Sequence, residues 1–151
     1  DTIYTSPALR TIQSASMISK TLKQDFEIIE NLLPRKFGLW SGMTFEYLEN
    51  KYPQMLEQMH ENPCSFCPKD GECVSDFNKR VSKLIKKIIN ENIGRRIIIV
   101  THPDIIQTAI SKAIQLPAQH QAKVHVRTGS ATQISYYENW ASLVYSGYIP
   151  L

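Results

Sequence analysis

Arg96-Ile97-Ile98-Ile99-Val100-Thr101-His102-Pro103 is the stretch that decides the fold. Four β-branched residues in succession, without polar alternation, predict a strand covered on both faces. Thr101-His102-Pro103-Asp104 then turns the chain into a helix, where proline is tolerated in the first turn. Ile105, Ile106, Ala109, Ile110, Ala113 and Ile114 recur at helical spacing and are expected inward, and Leu116-Pro117 ends the run. A buried strand feeding a helix is one unit of an α/β sandwich.

Upstream, the same grammar repeats. Ile3-Tyr4-Thr5 is β-prone, and Ser6-Pro7 supplies a candidate N-cap with proline in the first turn of a helix. Leu9, Ile12, Ala15, Ile18 and Leu22 give that helix one apolar face. Phe26-Glu27-Ile28-Ile29 fits a short strand, and residues 31–42 are punctuated by Pro34, Gly38 and Gly42 as a loop. Thr44 reads as the cap of a second helix that Pro53 interrupts, with a further turn at 55–59. Residues 61–71 read as a polar loop. The clearest helix opens at Ser75. Phe77, Val81, Leu84, Ile85, Ile88 and Ile89 form its buried stripe, Lys79, Lys83, Lys86 and Lys87 its solvated face, and Gly94 its C-terminal cap. The tail reads as strands at about 124–127, 131–137 and 140–146, the last two joined by a turn at Glu138-Asn139. The fold class expected is α/β: a three-layer sandwich with a mostly parallel central sheet flanked by helices.

The 151 residues suffice for one domain with a real core. A net charge of +3, scattered rather than clustered, gives no footprint for nucleic acid. No run approaches the ~18 apolar residues of a membrane span. The chain opens at Asp1 almost directly on a strand, from which we expect it to start partway through its domain.

Two strand-to-helix junctions carry the informative polar residues. Ser6 and Arg10 stand at the first and His102 at the second. The crevice beyond the carboxyl ends of parallel strands is where α/β sheets bind ligands. Helix N-termini there favour anions, and a guanidinium fork matches phosphate oxygens. Arg10 and His102 are therefore candidates to converge on one phosphate. The plainer alternative is a surface ion pair for Arg10 and a satisfied turn for His102.

A resemblance adds to this reading. Tyr4-Thr5-Ser6-Pro7-Ala8-Leu9-Arg10-Thr11-Ile12-Gln13-Ser14-Ala15 resembles the Ser-Pro-x-x-Arg-x-x-Gln-(Thr/Ser)-Ala block of the histidine phosphatase (phosphoglycerate mutase-like) superfamily. Phe37-Gly38-Leu39-Trp40-Ser41-Gly42-Met43-Thr44 resembles its Phe-Gly-x-Trp-Glu-Gly-x-Thr loop, and Gly71-Glu72-Cys73 its Gly-Glu-Ser. Ile97 to His102 resembles the strand that ends in the family's second histidine. The blocks are collinear from end to end.

The resemblance implies a phosphomonoesterase acting through phosphohistidine, without cofactor or metal. Arg10 and His102 would hold the phosphoryl oxygens, and Glu72 would lie beside the pocket as a substrate-binding residue. The partner would be a phosphorylated small molecule or a phosphoprotein. No Arg-His-Gly, the family's nucleophile motif, occurs in the chain. The first strand is accordingly expected to be missing, leaving the sheet incomplete between the His102 strand and its next neighbour. Pro34 occupies the family's usual acid position and Ser41 replaces the glutamate of the Trp-Glu-Gly loop, which favours a non-catalytic phosphate-binding relative as the alternative. Asp104 and Glu72 are the substitute acids to consider, although Asp104 also suits an ordinary helix-entry carboxylate.

His60, Cys64, Cys67 and Cys73 could hold tetrahedral zinc, which would make the chain a zinc-stabilised interaction module. Only one Cys-x2-Cys pair exists, however, and Cys73 sits at the serine position of the Gly-Glu-Ser match. A Cys64–Cys67 disulfide would leave an odd thiol. Three reduced thiols in a cytoplasmic protein are the expectation. His120 and His125 read as surface or strand residues, Trp40 as a pocket wall and Trp140 as packing.

Overall fold

The computed structural model describes residues 1–149. Strand β1 (Thr2–Thr5) leads to helix α1 (Leu9–Leu22), then strand β2 (Phe26–Ile28) and two short 3-10 turns (Glu30–Leu32, Gly38–Trp40). Helices α2 (Phe45–Lys51), α3 (Pro53–Glu61) and α4 (Val74–Glu91) precede strand β3 (Ile97–Val100) and helix α5 (Pro103–Ala113). A 3-10 segment (Ala118–Lys123) connects to the hairpin β4 (Ala131–Tyr136) and β5 (Ala141–Tyr148).

The sheet is parallel, with order β2-β1-β3. Tyr4 stands opposite Ile99, and Thr5 opposite Val100, so the two chemically informative turns leave the sheet side by side. Side chains alternate across a strand. Tyr4, Ile97 and Ile99 join Phe77, Val81, Leu84 and Ile88 of α4 and Ile105 of α5 in the main core. Ile3, fully buried, faces the other way, where α1 packs and contributes the buried Ala15. The result is the expected helix–sheet–helix layering. Within the described residues no helix is long and apolar enough to cross a membrane.

Several expectations need correction. β3 is not covered on both faces: Ile98 is 36% exposed, because β3 is the last strand of its sheet and no strand pairs with its outer edge among the described residues. The antiparallel β4–β5 pair forms a separate sheet. Residues 124–127 are not a strand, and the 3-10 segment runs up to them instead. In α5 the buried set is Ile105, Thr108, Ile110, Ser111 and Ala113, while Ile114 is exposed. Thr108 is admitted to the interior because its hydroxyl lies 3.0 Å from Asn78 Oδ1 and accepts from Gln121 Nε2 at 2.7 Å. In α1, Leu9 and Leu22 are exposed and the helix presses on the sheet through Ala15 and Thr11. α4 ends at Asn92 rather than Gly94. The buried Asn92 amide donates to the Tyr4 hydroxyl and the Ile88 carbonyl, at 3.0 and 2.8 Å.

Thr44 caps α2 as expected, its hydroxyl accepting from the Tyr47 N–H at 3.2 Å. The turn after Pro53 is longer than expected and forms α3. Together α2, α3 and the following loop build a second core of Trp40, Leu48, Leu56 and Phe66. Trp40 is thus a core residue, its ring 4.8 Å from that of Phe66, rather than a pocket wall. Trp140 stacks on Tyr137 at 4.1 Å and is largely exposed.

The expectation of three reduced thiols is also corrected. Cys67 and Cys73 form a disulfide and Cys64 is free. The reason is local: the loop between them folds back on itself, with Gly71 N–H bonded to Pro68 O and Val74 N–H to Phe66 O, which brings positions 67 and 73 together. Among the described residues no group of three or more His, Cys, Asp and Glu is arranged to hold a metal ion.

Candidate active site

The carboxyl ends of β1 and β3 place Ser6 and His102 next to each other. Ser6 N–H extends the β ladder by bonding Val100 O at 3.1 Å, and both side chains are buried. Ser6 is not the helix cap. The capping position of α1 is Ala8, in extended conformation, and Ser6 lies two residues before it. Its hydroxyl instead sits 2.8 Å from His102 Nε2 and accepts from the Ala8 N–H at 3.3 Å. Thr11 closes the turn from inside, its hydroxyl donating to Ser6 O and Ala8 O.

Arg10, in the first turn of α1, brings its Nη2 to 2.9 Å from His102 Nδ1. A guanidinium has only donors. Nδ1 must therefore be the unprotonated nitrogen, and Nε2–H is the donor to Ser6. One arginine thereby sets the tautomer of the imidazole. The first turn of α1 contains no acidic side chain and its cap contributes no side-chain hydrogen bond, so no carboxylate of that turn offsets the positive end of the helix dipole. The opening turn of α5 is occupied: Asp104 accepts from the Ile105 N–H at 2.9 Å and from the Arg35 backbone N–H at 2.7 Å. Asp104 thus has the helix-entry role and ties residues 33–36 to the His102 turn. Thr101 does the same through its hydroxyl, which donates to Leu32 O at 3.0 Å.

Burial, and then the adjacent Arg10 cation, hold the His102 pKa below its usual 6.5, against a smaller opposing pull from Asp104. The unfolded chain therefore takes up this proton at higher pH than the folded one. His102 contributes stability that is present above about pH 6.5 and is lost as the pH falls through the lowered value. Urea midpoints should accordingly drop between pH 7.5 and pH 5.5. The drop should be smaller in His102→Asn, and identical drops in the two proteins would refute the assignment.

Glu72 stands apart from this cluster. It forms a bidentate pair with Arg80, with Nε and Nη2 each 2.8 Å from a carboxylate oxygen. Arg80 Nη1 donates to Asn31 O and Leu33 O, at 2.7 and 3.2 Å. Burial alone would raise the Glu72 pKa. Arg80, and after it Lys36, together outweigh it and keep the carboxyl below the usual range. No hydrogen bond joins Glu72 to Arg10 or His102 among the described residues. Gly38 and Gly71 lie back to back: a Cβ on Gly38 would fall 2.1 Å from Lys69 O, and its φ of +55° is itself unfavourable for other residues. Leu39 N–H to Lys69 O and Glu72 N–H to Lys36 O complete the seam, at 3.0 and 2.8 Å. Pro34 and Ser41 line a groove beside it. The sequence gives no functional expectation for Arg80 or Arg35, although Arg35 lies just before the Phe37-Gly38 block and Arg80 in the helix that follows Gly71-Glu72-Cys73. His125 is exposed, and His120 lies in the 3-10 segment, outside the site.

Residues 1–147 match the family described as the histidine phosphatase superfamily (branch 1). The bifunctional protein Rv2228c of Mycobacterium tuberculosis is 24% identical over 142 residues, 94% of this chain and 39% of that protein. Phosphoserine phosphatase 1 of Hydrogenobacter thermophilus is 27% identical over 104 residues, 68% of this chain and 48% of that protein. The chain thus spans less than half the length of these two relatives. Among solved structures, the α-ribazole phosphatase of Shigella flexneri aligns over 100% of this chain and 76% of its own, with 21% identity and a TM-score of 0.86. YhfR of Bacillus stearothermophilus aligns over 99% and 74%, with 21% identity and a TM-score of 0.87. With the family matched across nearly the whole chain and the fold shared with these phosphatases, the chain belongs to the histidine phosphatase superfamily.

Proposed function

We propose that this chain is part of a phosphomonoester hydrolase in which Arg10 and His102 bind the transferred phosphoryl group. The observation that carries the reading is the Arg10–His102–Ser6 cluster, at the carboxyl ends of adjacent parallel strands and the open N-terminus of α1. A guanidinium and an imidazole in contact beside a helix N-terminus are suited to stabilise a developing phosphoryl charge.

The nucleophile is proposed to be a histidine of an Arg-His-Gly strand that precedes Asp1. The open edge of β3, with Ile98 36% exposed, and the separate β4–β5 sheet support a further strand between them. Phosphorus then passes from the ester oxygen to that histidine, the leaving oxygen takes a proton, and water releases phosphate. Pro34 cannot supply that proton. Asp104 is committed to two N–H groups, and Glu72 is held ionised by Arg80. These facts favour the second reading, a relative that binds a phosphorylated small molecule or phosphoprotein without turnover. A cytoplasmic location stays part of the proposal.

The deciding experiment is hydrolysis of a generic aryl phosphate by the full-length protein and by this chain alone. Turnover by the longer form only supports the hydrolase with its nucleophile upstream. A folded full-length protein that binds phosphate but releases none from the ester supports the second reading.

A further inference from the structure

The bond between Cys67 and Cys73 closes the loop that joins α3 to α4 at a place an outside thiol can reach. Cys67 is exposed and lines an open groove of about 380 Å³ with Met55, Gln58, Asn62, Ser65 and Phe66. Cys73 is half-buried at the capping position of α4. The two sulfurs are therefore unequal. An attacking thiolate meets Cys67, and the sulfur it expels is that of Cys73, at the positive end of an 18-residue helix that stabilises a departing anion. The carboxylates on either side of Cys73 already have cations: Glu72 is paired with Arg80, and Asp76 lies 3.5 Å from Lys79.

The bond also fastens a particular piece of the fold. Within the loop, Gly71 N–H meets Pro68 O at 2.9 Å and Val74 N–H meets Phe66 O at 3.2 Å. The seam with residues 36–39 rests on Leu39 N–H to Lys69 O and Glu72 N–H to Lys36 O. Lys69 and Glu72 both lie between the bonded cysteines, so the cross-link limits how far the seam can open. Packing adds little there, since Pro68 alone is buried between Cys67 and Cys73. Segments with few buried contacts are the ones that open locally.

We propose that Cys67–Cys73 is a reversible site for a dithiol reductant, whose reduction unlatches residues 67–73 from residues 36–39 and whose re-oxidation closes them again. One thiolate of the dithiol attacks Cys67 Sγ, the Cys67–Cys73 bond breaks, and Cys73 leaves as a thiolate that takes a proton. The second thiolate of the dithiol then attacks its own sulfur in the mixed disulfide and releases Cys67, which is protonated in turn. Two electrons and two protons pass to the protein, and the dithiol becomes a disulfide. The proposal does not depend on the reading of Arg10 and His102. It agrees with a cytoplasmic location, where disulfides of mesophilic proteins are mostly transient and redox-sensing.

The test equilibrates the native full-length protein in mixtures of reduced and oxidised dithiothreitol and alkylates it after an acid quench. Peptide masses then give the state of Cys64, Cys67 and Cys73. Cys67 and Cys73 should pass together between bonded and free, along the same curve in both directions, with Cys64 free throughout. Hydrogen exchange on the same samples should quicken by about tenfold or more on reduction in the peptides carrying Leu39, Gly71, Glu72 and Val74, the effect of losing a short cross-link on a local opening. Peptides of β1 and β3 should not change. Cys67→Ser should show the fast exchange at every ratio. Should that variant not fold, the titration of the unsubstituted protein still decides. A bond that yields only after denaturant is added overturns the proposal. So does reduction that leaves exchange at the seam unaltered, or re-oxidation to Cys64–Cys67 in place of Cys67–Cys73.

Discussion

His102→Ala in the full-length protein is expected to lower kcat on an aryl phosphate by about 10²–10³-fold, the usual cost of one charge-stabilising donor at a reacting centre. The loss should fall mainly on kcat rather than KM. A contact that strengthens as charge builds on the phosphoryl oxygens is made most fully in the transition state. Arg10→Ala should cost a comparable factor, for two reasons that the geometry separates. It removes a phosphate donor, and it releases the imidazole from the tautomer that the Nη2–Nδ1 contact enforces. The double variant should therefore lose much less than the product of the two single losses, because touching residues are coupled. Multiplicative losses would show that the two side chains act independently. An unchanged kcat in His102→Ala would remove His102 from the chemistry altogether.

Arg80→Met is expected to destabilise the full-length protein by roughly 2–3 kcal/mol, read as a Tm lowered by about 5–10 °C. The two partners are mostly buried, with side-chain exposures of 23% and 17%, so solvent screens the pair little. Removing the arginine strands the Glu72 carboxylate and leaves the carbonyls of Asn31 and Leu33 without their donor. Arg80→Lys should recover only a small part, since a single ammonium cannot span two carboxylate oxygens and two carbonyls at once. A double change, Arg80→Met with Glu72→Met, should recover more, because the uncompensated charge disappears with its partner. A Tm within a degree of wild type in Arg80→Met would mean that the pair is solvated and structurally idle.

How much of this was legible beforehand follows from the range of the interactions. β1, α1, β3, α4 and α5 announce themselves locally, by β-branched runs or by apolar residues at three- and four-residue spacing. Chain direction at the ends of β1 and β3 then suffices to bring Arg10 and His102 to one edge. What local pattern could not reach is the pairing of side chains far apart in sequence. Ser6 looks like a cap until His102, 96 residues away, takes its hydroxyl. Thr108 looks like a polar surface position until Asn78 and Gln121 close over it. Phe66 is hidden in a segment that reads as polar, because Trp40 and Leu56, which bury it, come from other elements. The Cys67–Cys73 bond depends on a backbone fold-back that spacing alone does not specify.

The tautomer set by Arg10 also has a calorimetric signature. In the ligand-free protein His102 is held neutral by burial and by the neighbouring cation. A phosphate dianion bound between Arg10 and His102 would oppose both influences, offering Nδ1–H an acceptor and the imidazolium a counter-charge. Binding near neutral pH should therefore draw a proton from the buffer. The apparent enthalpy of phosphate association would then change with the ionisation enthalpy of the buffer used, with a slope approaching one proton per site, and His102→Asn would flatten that slope.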